Sequence, residues 1–318
     1  MSALGSAVGF GVVFLLVVIA ASAIGCGLLA LGARALAARG PAAERRAAML
    51  AAIVPPIAGA LVVAALALHS ATTIDHCEAH DHHAHLCVAH GGAWLARPWA
   101  VAVAAAAMVV SVGRAALLLM TLLGARARVR ALAAVAETID DVRIVDSPRR
   151  FCFVTGVRRP TIYASTAALR ALADDERAAM LAHERAHVRA RDLLWRRALE
   201  VATLVAAPLA PGFLARRWDD ATERLRDRDA ARATDPAAVA HALIAMCRGE
   251  AAWAASMNYA PPVHALTRRV EAVLATPDVE PRAGRGLAIG AAALGVTVAG
   301  ALVAFVDPIH HALETLLG

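Results

Sequence analysis

The chain has 318 residues, 59% of them hydrophobic and 18% charged, with a formal net charge of +6 and a mean hydropathy of +0.59. That balance excludes an ordinary soluble domain and points to an integral membrane protein. The positive charge raises the question of a nucleic-acid partner. Every basic side chain is an arginine, however, and the arginines collect in loops that membrane topology places inside, so direct nucleic-acid binding is not expected.

In chain order, residues 7–31, 47–68, 99–123 and 286–306 are each long and apolar enough to cross a hydrocarbon core about 30 Å thick. No basic residue precedes the first stretch and no convincing cleavage site follows it, so it reads as a retained helix rather than a signal peptide. Arg34, Arg39, Arg45 and Arg46 crowd the loop after the first span, whereas residues 70–96 and 307–318 carry no Lys or Arg. The asymmetry puts that first loop inside and both termini outside a plasma or inner membrane, with residues 124–285 in the cytoplasm. Pro55 and Pro56 are expected to kink or hinge the second span, and Arg114, inside the third, is expected to snorkel toward the cytoplasm.

The outer loop, residues 69–97, holds His69, His76, His80, His82, His83, His85 and His90 together with Cys77 and Cys87. Imidazoles at this density bind Zn, Cu or Ni, which makes the loop a candidate metal or pH sensor. The alternative is a solvated low-complexity loop closed by a Cys77–Cys87 disulfide, since those two cysteines alone face the oxidising side.

In the cytoplasmic segment, residues 142–145, 151–154 and 160–164 are short β-favouring runs separated by Asp146-Ser147-Pro148 and Gly156. They predict a small antiparallel sheet ahead of a helix. Its exposed edge serves either as a place where an extended peptide adds as a strand or as a purely structural hairpin.

The helix that follows carries His183-Glu184-Arg185-Ala186-His187, the pattern H-E-x-x-H. Residues four apart lie on one face of a helix, so both imidazoles can grip one metal ion. Glu184 beside them is placed to take a proton from a water on that metal as general base. Acidic residues Asp174, Asp175 and Glu176 start the helix, where its dipole favours negative charge.

A catalytic zinc takes three protein ligands, so a third is needed. Helix is expected again over residues 192–205, broken by Pro208 and Pro211, and then from about Trp218. Glu223 on that later helix is the best third ligand, with Asp227 one turn on to accept a histidine N–H; Asp219, Asp220 and Glu200 are weaker substitutes. The competing reading makes Glu223, Asp227 and Asp229 a solvated face alternating with Arg224, Arg226 and Arg228.

With H-E-x-x-H, a downstream E-x-x-x-D, and three spans before the domain and one after, the chain resembles the BlaR/MecR-type membrane metallopeptidases of the gluzincin class. The run GVRRPTIYASTAALRALADDERAAMLAHERAHVRARD, residues 156–192, looks like that family's core. The resemblance implies one catalytic Zn2+ held by His183, His187 and Glu223, Glu184 as catalytic base, and Asp227 as a partner behind the ligands. Asp192, five residues after His187, also matches. It further implies cleavage of a cytoplasmic protein, often a transcriptional repressor.

The best-known members carry a penicillin-binding sensor domain after the fourth span, where this chain has residues 307–318, so beta-lactam sensing is not expected. HtpX/Ste24-type quality-control peptidases share the ligand pattern but distribute their spans differently. A non-catalytic membrane signal transducer is the alternative outside enzymes. Tyr163, Tyr259 and His264 are oxyanion candidates by residue type alone.

The expected fold is therefore a mainly α membrane protein of four transmembrane helices, with a cytoplasmic α+β gluzincin-like zinc peptidase domain between helices three and four. Its parts are residues 1–123 with the outer loop, 124–285, and 286–318.

Overall fold

The computed structural model describes residues 3–72, 98–206, 211–247 and 263–275. Its first part is helical: α1 (Ala3–Leu31), the short α2 (Ala33–Ala38), α3 (Pro41–Thr72) and α4 (Pro98–Val135). Three stretches, Gly9–Leu31, Pro41–Leu68 and Ala105–Val135, are long and apolar enough to cross a membrane. The expected fourth span, residues 286–306, lies outside the described residues. So does the histidine-rich segment with His76, Cys77, His80, His82, His83, His85, Cys87 and His90.

Helices α1 and α3 pack closely because Gly59 presents no side chain: a Cβ there would lie 2.8 Å from Phe14 and 2.9 Å from Val18. In lipid, where apolar burial does not drive helices together, such close approach is what gains dispersion energy. Helix α3 continues through Pro55 and Pro56. Helix α4 leaves Met108, Val109, Val112, Leu117 and Met120 exposed, as a lipid-facing helix does. Arg114 on α4 donates from Nη1 to the Leu204 carbonyl oxygen at 3.2 Å.

Helix α4 runs past residue 123 directly into strand β1 (Ala136–Ile139), followed by β2 (Val142–Val145), β3 (Cys152–Thr155) and β4 (Thr161–Ser165). The sheet order is β1-β2-β4-β3. It is mixed rather than antiparallel: β4 pairs parallel with β2, and only the β1–β2 and β3–β4 pairs are antiparallel. The reason lies in β4, where Ile162, Tyr163, Ala164 and Ser165 are all buried, so the strand must occupy the interior with β3 turned back onto its outer side. Strand β1 escapes sequence reading because AETI is half polar, largely exposed and continuous with a helix. Gly156 between β3 and β4 has φ 95°, and a Cβ there would sit 2.4 Å from the Arg159 carbonyl oxygen, so only glycine fits.

The alternation of strand residues loads both faces of the sheet. Val142, Ile162 and Ala164 pack with Leu169, Leu181 and Val188, while Val145, Phe151 and Tyr163 pack with Val129, Leu132 and Ala133 from the end of α4. The membrane helix thus carries the sheet directly. On the first face, after α5 (Thr166–Ala171), lies α6 (Asp174–Ala190), whose first turn is fixed by the Glu176 carboxylate accepting from the Ala173 N–H at 3.0 Å.

Arg191, in the left-handed region at φ 52°, ends α6 and turns the chain into α7 (Asp192–Ala206). Helices α8 (Pro211–Ala233), α9 (Pro236–Cys247) and α10 (Val263–Leu274) complete the described fold. Pro211 does not separate helices here. It opens α8, the position where a missing N–H costs nothing. Leu199, Leu214 and Trp218 of α7 and α8 share one core with Leu29, Ala48 and Ala52 of α1 and α3. Helices α7 and α8 and the apolar helices α1 and α3 therefore share one packed core.

Candidate metal centre

Helix α6 stacks His183 and His187 one turn apart, and α8 crosses it so that Glu223 faces both rings. The two Nε2 atoms are 3.1 Å apart, His183 Nε2 lies 3.4 Å from Glu223 Oε2, and His187 Nε2 lies 3.6 Å from Glu223 Oε1. A tetrahedral zinc with bonds of about 2.1 Å separates its ligand atoms by about 3.4 Å. These residues are the one His/Cys/Asp/Glu cluster of metal-binding spacing among the described residues.

The far nitrogen of each ring meets a buried carboxylate. His183 Nδ1 donates to Asp227 Oδ1 at 3.0 Å, and His187 Nδ1 donates to Asp192 Oδ2 at 2.9 Å. With both Nδ1 atoms donating, both Nε2 atoms present lone pairs to each other and to the Glu223 oxygens. Four acceptors converge, and such a cluster holds together only around a positive charge, either a proton or a metal ion. Two imidazoles and a carboxylate, each oriented from behind, fit zinc.

The electrostatics agree. Burial opposes a charge on His183, yet its bonds to Asp227 and Glu223 hold its pKa up at about 10. Burial pushes the Glu184 carboxyl up, partly offset by His183 and His187. Burial also works against charge on Glu223, but Arg269 and the two histidines keep it well below the usual carboxylate range. Asp227 is likewise held low against its burial, by Arg269 and His183.

Binding of zinc must therefore displace the proton on His183. Calorimetry in buffers of different ionisation enthalpy at pH 8 is expected to show at least one proton released per zinc bound, since a metal-ligating histidine must be neutral. Binding without proton release would contradict this electrostatic picture.

Several residues that sequence reasoning left aside complete the site. Arg269 of α10 forks onto Asp227, with Nε to Oδ2 and Nη2 to Oδ1 both at 2.7 Å, and the same Nη2 lies 3.2 Å from Glu223 Oε2. Asp192 is clasped by Arg226 of α8 through Nε at 2.7 Å and by Arg45 of α3 at 2.8 Å. Nothing in the pattern around Arg268-Arg269 or Arg45-Arg46 marks these as site residues.

The acidic face of α8 is not a solvated stripe. Asp227 is 1% exposed, and Arg224 reaches across to Glu44 of α3 at 2.8 Å. Of the substitute ligands, Asp219 pairs with Arg196 at 2.7 Å and Glu200 with Arg196 and Arg197, away from the histidines. Asp220 offers its backbone oxygen to Arg224. Tyr163 is not available to a substrate: it is buried on the sheet face turned from α6, where its hydroxyl accepts from Arg143 at 2.8 Å. Tyr259 and the side chain of His264 lie outside the described residues. Strand β3 is a sheet edge, and α6 packs against β3 and β4.

Residues 124–252 match the family model of Peptidase family M48. The match supports a metallopeptidase of that family and spans His183, His187 and Glu223, while Arg45 and Arg269 lie beyond its ends. No curated protein and no solved structure matches the chain.

Proposed function

We propose that the protein is an integral membrane zinc metalloendopeptidase that hydrolyses peptide bonds of a cytoplasmic or membrane protein. The convergence of His183, His187 and Glu223 from two crossing helices, with Glu184 beside them on α6, carries this reading. Bound zinc supplies Lewis acidity toward the scissile carbonyl and brings the pKa of a coordinated water to about 7. Glu184 accepts the proton of the attacking water and passes it to the leaving amine, a role suited to a carboxyl whose pKa burial has raised. Asp192 and Asp227 keep the imidazole rings turned toward the ion, and edge strand β3 offers backbone groups to an extended substrate.

On this reading residues 124–285 face the cytoplasm, both termini face outward, and signalling by cleavage of a repressor is the role, as in BlaR/MecR-type enzymes. The histidine-rich loop is the candidate sensor. One observation favours a second reading, HtpX/Ste24-type quality control. Leu199, Leu214 and Trp218 pack against the spans, which blurs the clean separation of three spans from the domain.

The test compares cells expressing the wild type and Glu184→Gln in parallel, with new protein N-termini mapped across the proteome. Cleavage products confined to the wild type support the peptidase. Identical sets of N-termini count against it and favour a non-catalytic transducer.

A further inference from the structure

Arg45 stands in the second turn of α3, a helix long and apolar enough to span the membrane, yet its side chain reaches the supports of the metal centre. Its Nη2 lies 2.8 Å from Asp192 Oδ1, with the two side chains 17% and 5% exposed. The other oxygen of that carboxylate, Oδ2, accepts from His187 Nδ1 at 2.9 Å and from Arg226 Nε at 2.7 Å. Oδ1 has only a long second contact, 3.4 Å from Arg226 Nη2. The Arg45 guanidinium is itself held, 4.9 Å over the centre of the Trp218 ring.

A carboxylate orients an imidazole only while its own rotation is blocked. Arg226 secures one oxygen of Asp192, and Arg45 secures the other. We propose that Arg45 is a positioning residue through which the membrane helix α3 holds Asp192, and with it His187, so that the grip on the metal depends on where α3 sits. A shift of α3 along its axis would draw the guanidinium off Oδ1 and release the aspartate to turn. The metal site is then coupled to the membrane helix by two hydrogen bonds in series, from Arg45 to Asp192 and from His187 to Asp192. The neighbouring tie, Glu44 to Arg224 at 2.8 Å, joins α3 to α8 without touching Asp192 or either histidine, and it provides the control.

This inference rests on the zinc-site reading above. The test uses the full chain, zinc-loaded, in lipid nanodiscs, and follows transfer of zinc to an excess of a chelating dye. Arg45→Ala is expected to lose zinc about 10–100-fold faster than the wild type, the usual cost of removing a group that orients a ligand. Arg45→Lys, which keeps the charge and one donor, should recover much of the difference, and Glu44→Gln should match the wild type. The cobalt-substituted protein should show an altered visible absorption band in Arg45→Ala alone. If Arg45→Ala does not assemble, Arg45→Gln keeps much of the aliphatic stem while removing the charge, and carries the same expectation.

Zinc retention in Arg45→Ala equal to the wild type overturns the proposal, as does an equal loss in Glu44→Gln, which would reduce Arg45 to general helix packing. A wild type that binds no zinc overturns the functional reading and this inference with it. Normal zinc binding with no effect of Arg45 removes the inference alone.

Discussion

Glu184→Gln is expected to keep zinc bound while lowering turnover by about 100- to 10,000-fold, the range that a positioned general base contributes. The argument is geometric. Glu184 sits between the two histidines in sequence but is rotated away from their face of α6, so it is not needed to hold the ion. Glutamine preserves its volume and its hydrogen-bonding reach and removes only the ability to accept a proton. Metal content by mass spectrometry and the cleavage rate of a peptide drawn from a mapped substrate separate the two roles. Full turnover in the variant would end the assignment of Glu184 as base, and loss of zinc would recast it as a structural group.

The second large effect concerns Arg269. Its guanidinium is bidentate on Asp227, which is 1% exposed, and also contacts Glu223, so removing it leaves buried negative charge without its main counter-ion. Breaking such a pair from one side costs about 3 kcal/mol. Arg269→Ala should therefore lower the denaturation midpoint of the full chain. It should also weaken zinc binding by about 10–100-fold, because Asp227 then orients His183 less firmly. Arg269→Lys is expected to restore little, since an ammonium cannot reproduce the planar two-pronged contact. Unchanged zinc affinity in Arg269→Ala would show that Asp227 holds its place without the arginine.

The difference between these residues explains what could be read from the chain. The spacing of His183, Glu184 and His187 is a statement about one helix, and so is that of Glu223 and Asp227; helical period places each set on its own face. The apolar runs of α1, α3 and α4 are equally local, because the length of hydrocarbon to be crossed is known beforehand. Arg269 and Arg45 come from two other places in the chain, and Arg226, although it lies between Glu223 and Asp227, turns to Asp192 of another helix; no spacing connects any of the three to the histidines. The position of β4 between β2 and β3 likewise depends on which strand is buried on both faces, a property of the assembled domain.

Asp192 sits on the boundary between the two kinds of information. In a continuous helix, residues five apart point about 140° away from each other. His187 and Asp192 meet only because Arg191 takes a left-handed conformation and starts a new helix, at a cost of about 1–2 kcal/mol that the surrounding packing must offset. Sequence by itself thus determined the three apolar helices among the described residues, the two histidines stacked on α6, the glutamate beside them and the carboxylates offered by α8, since each follows from composition or from the period of a single helix. Tertiary structure alone decided the crossing of α6 and α8 that brings Glu223 to the histidines, the arginines that hold the supporting aspartates, and the tie from Asp192 to a membrane helix. Those contacts join residues far apart in sequence, and their geometry exists only once the cores between the helices have packed.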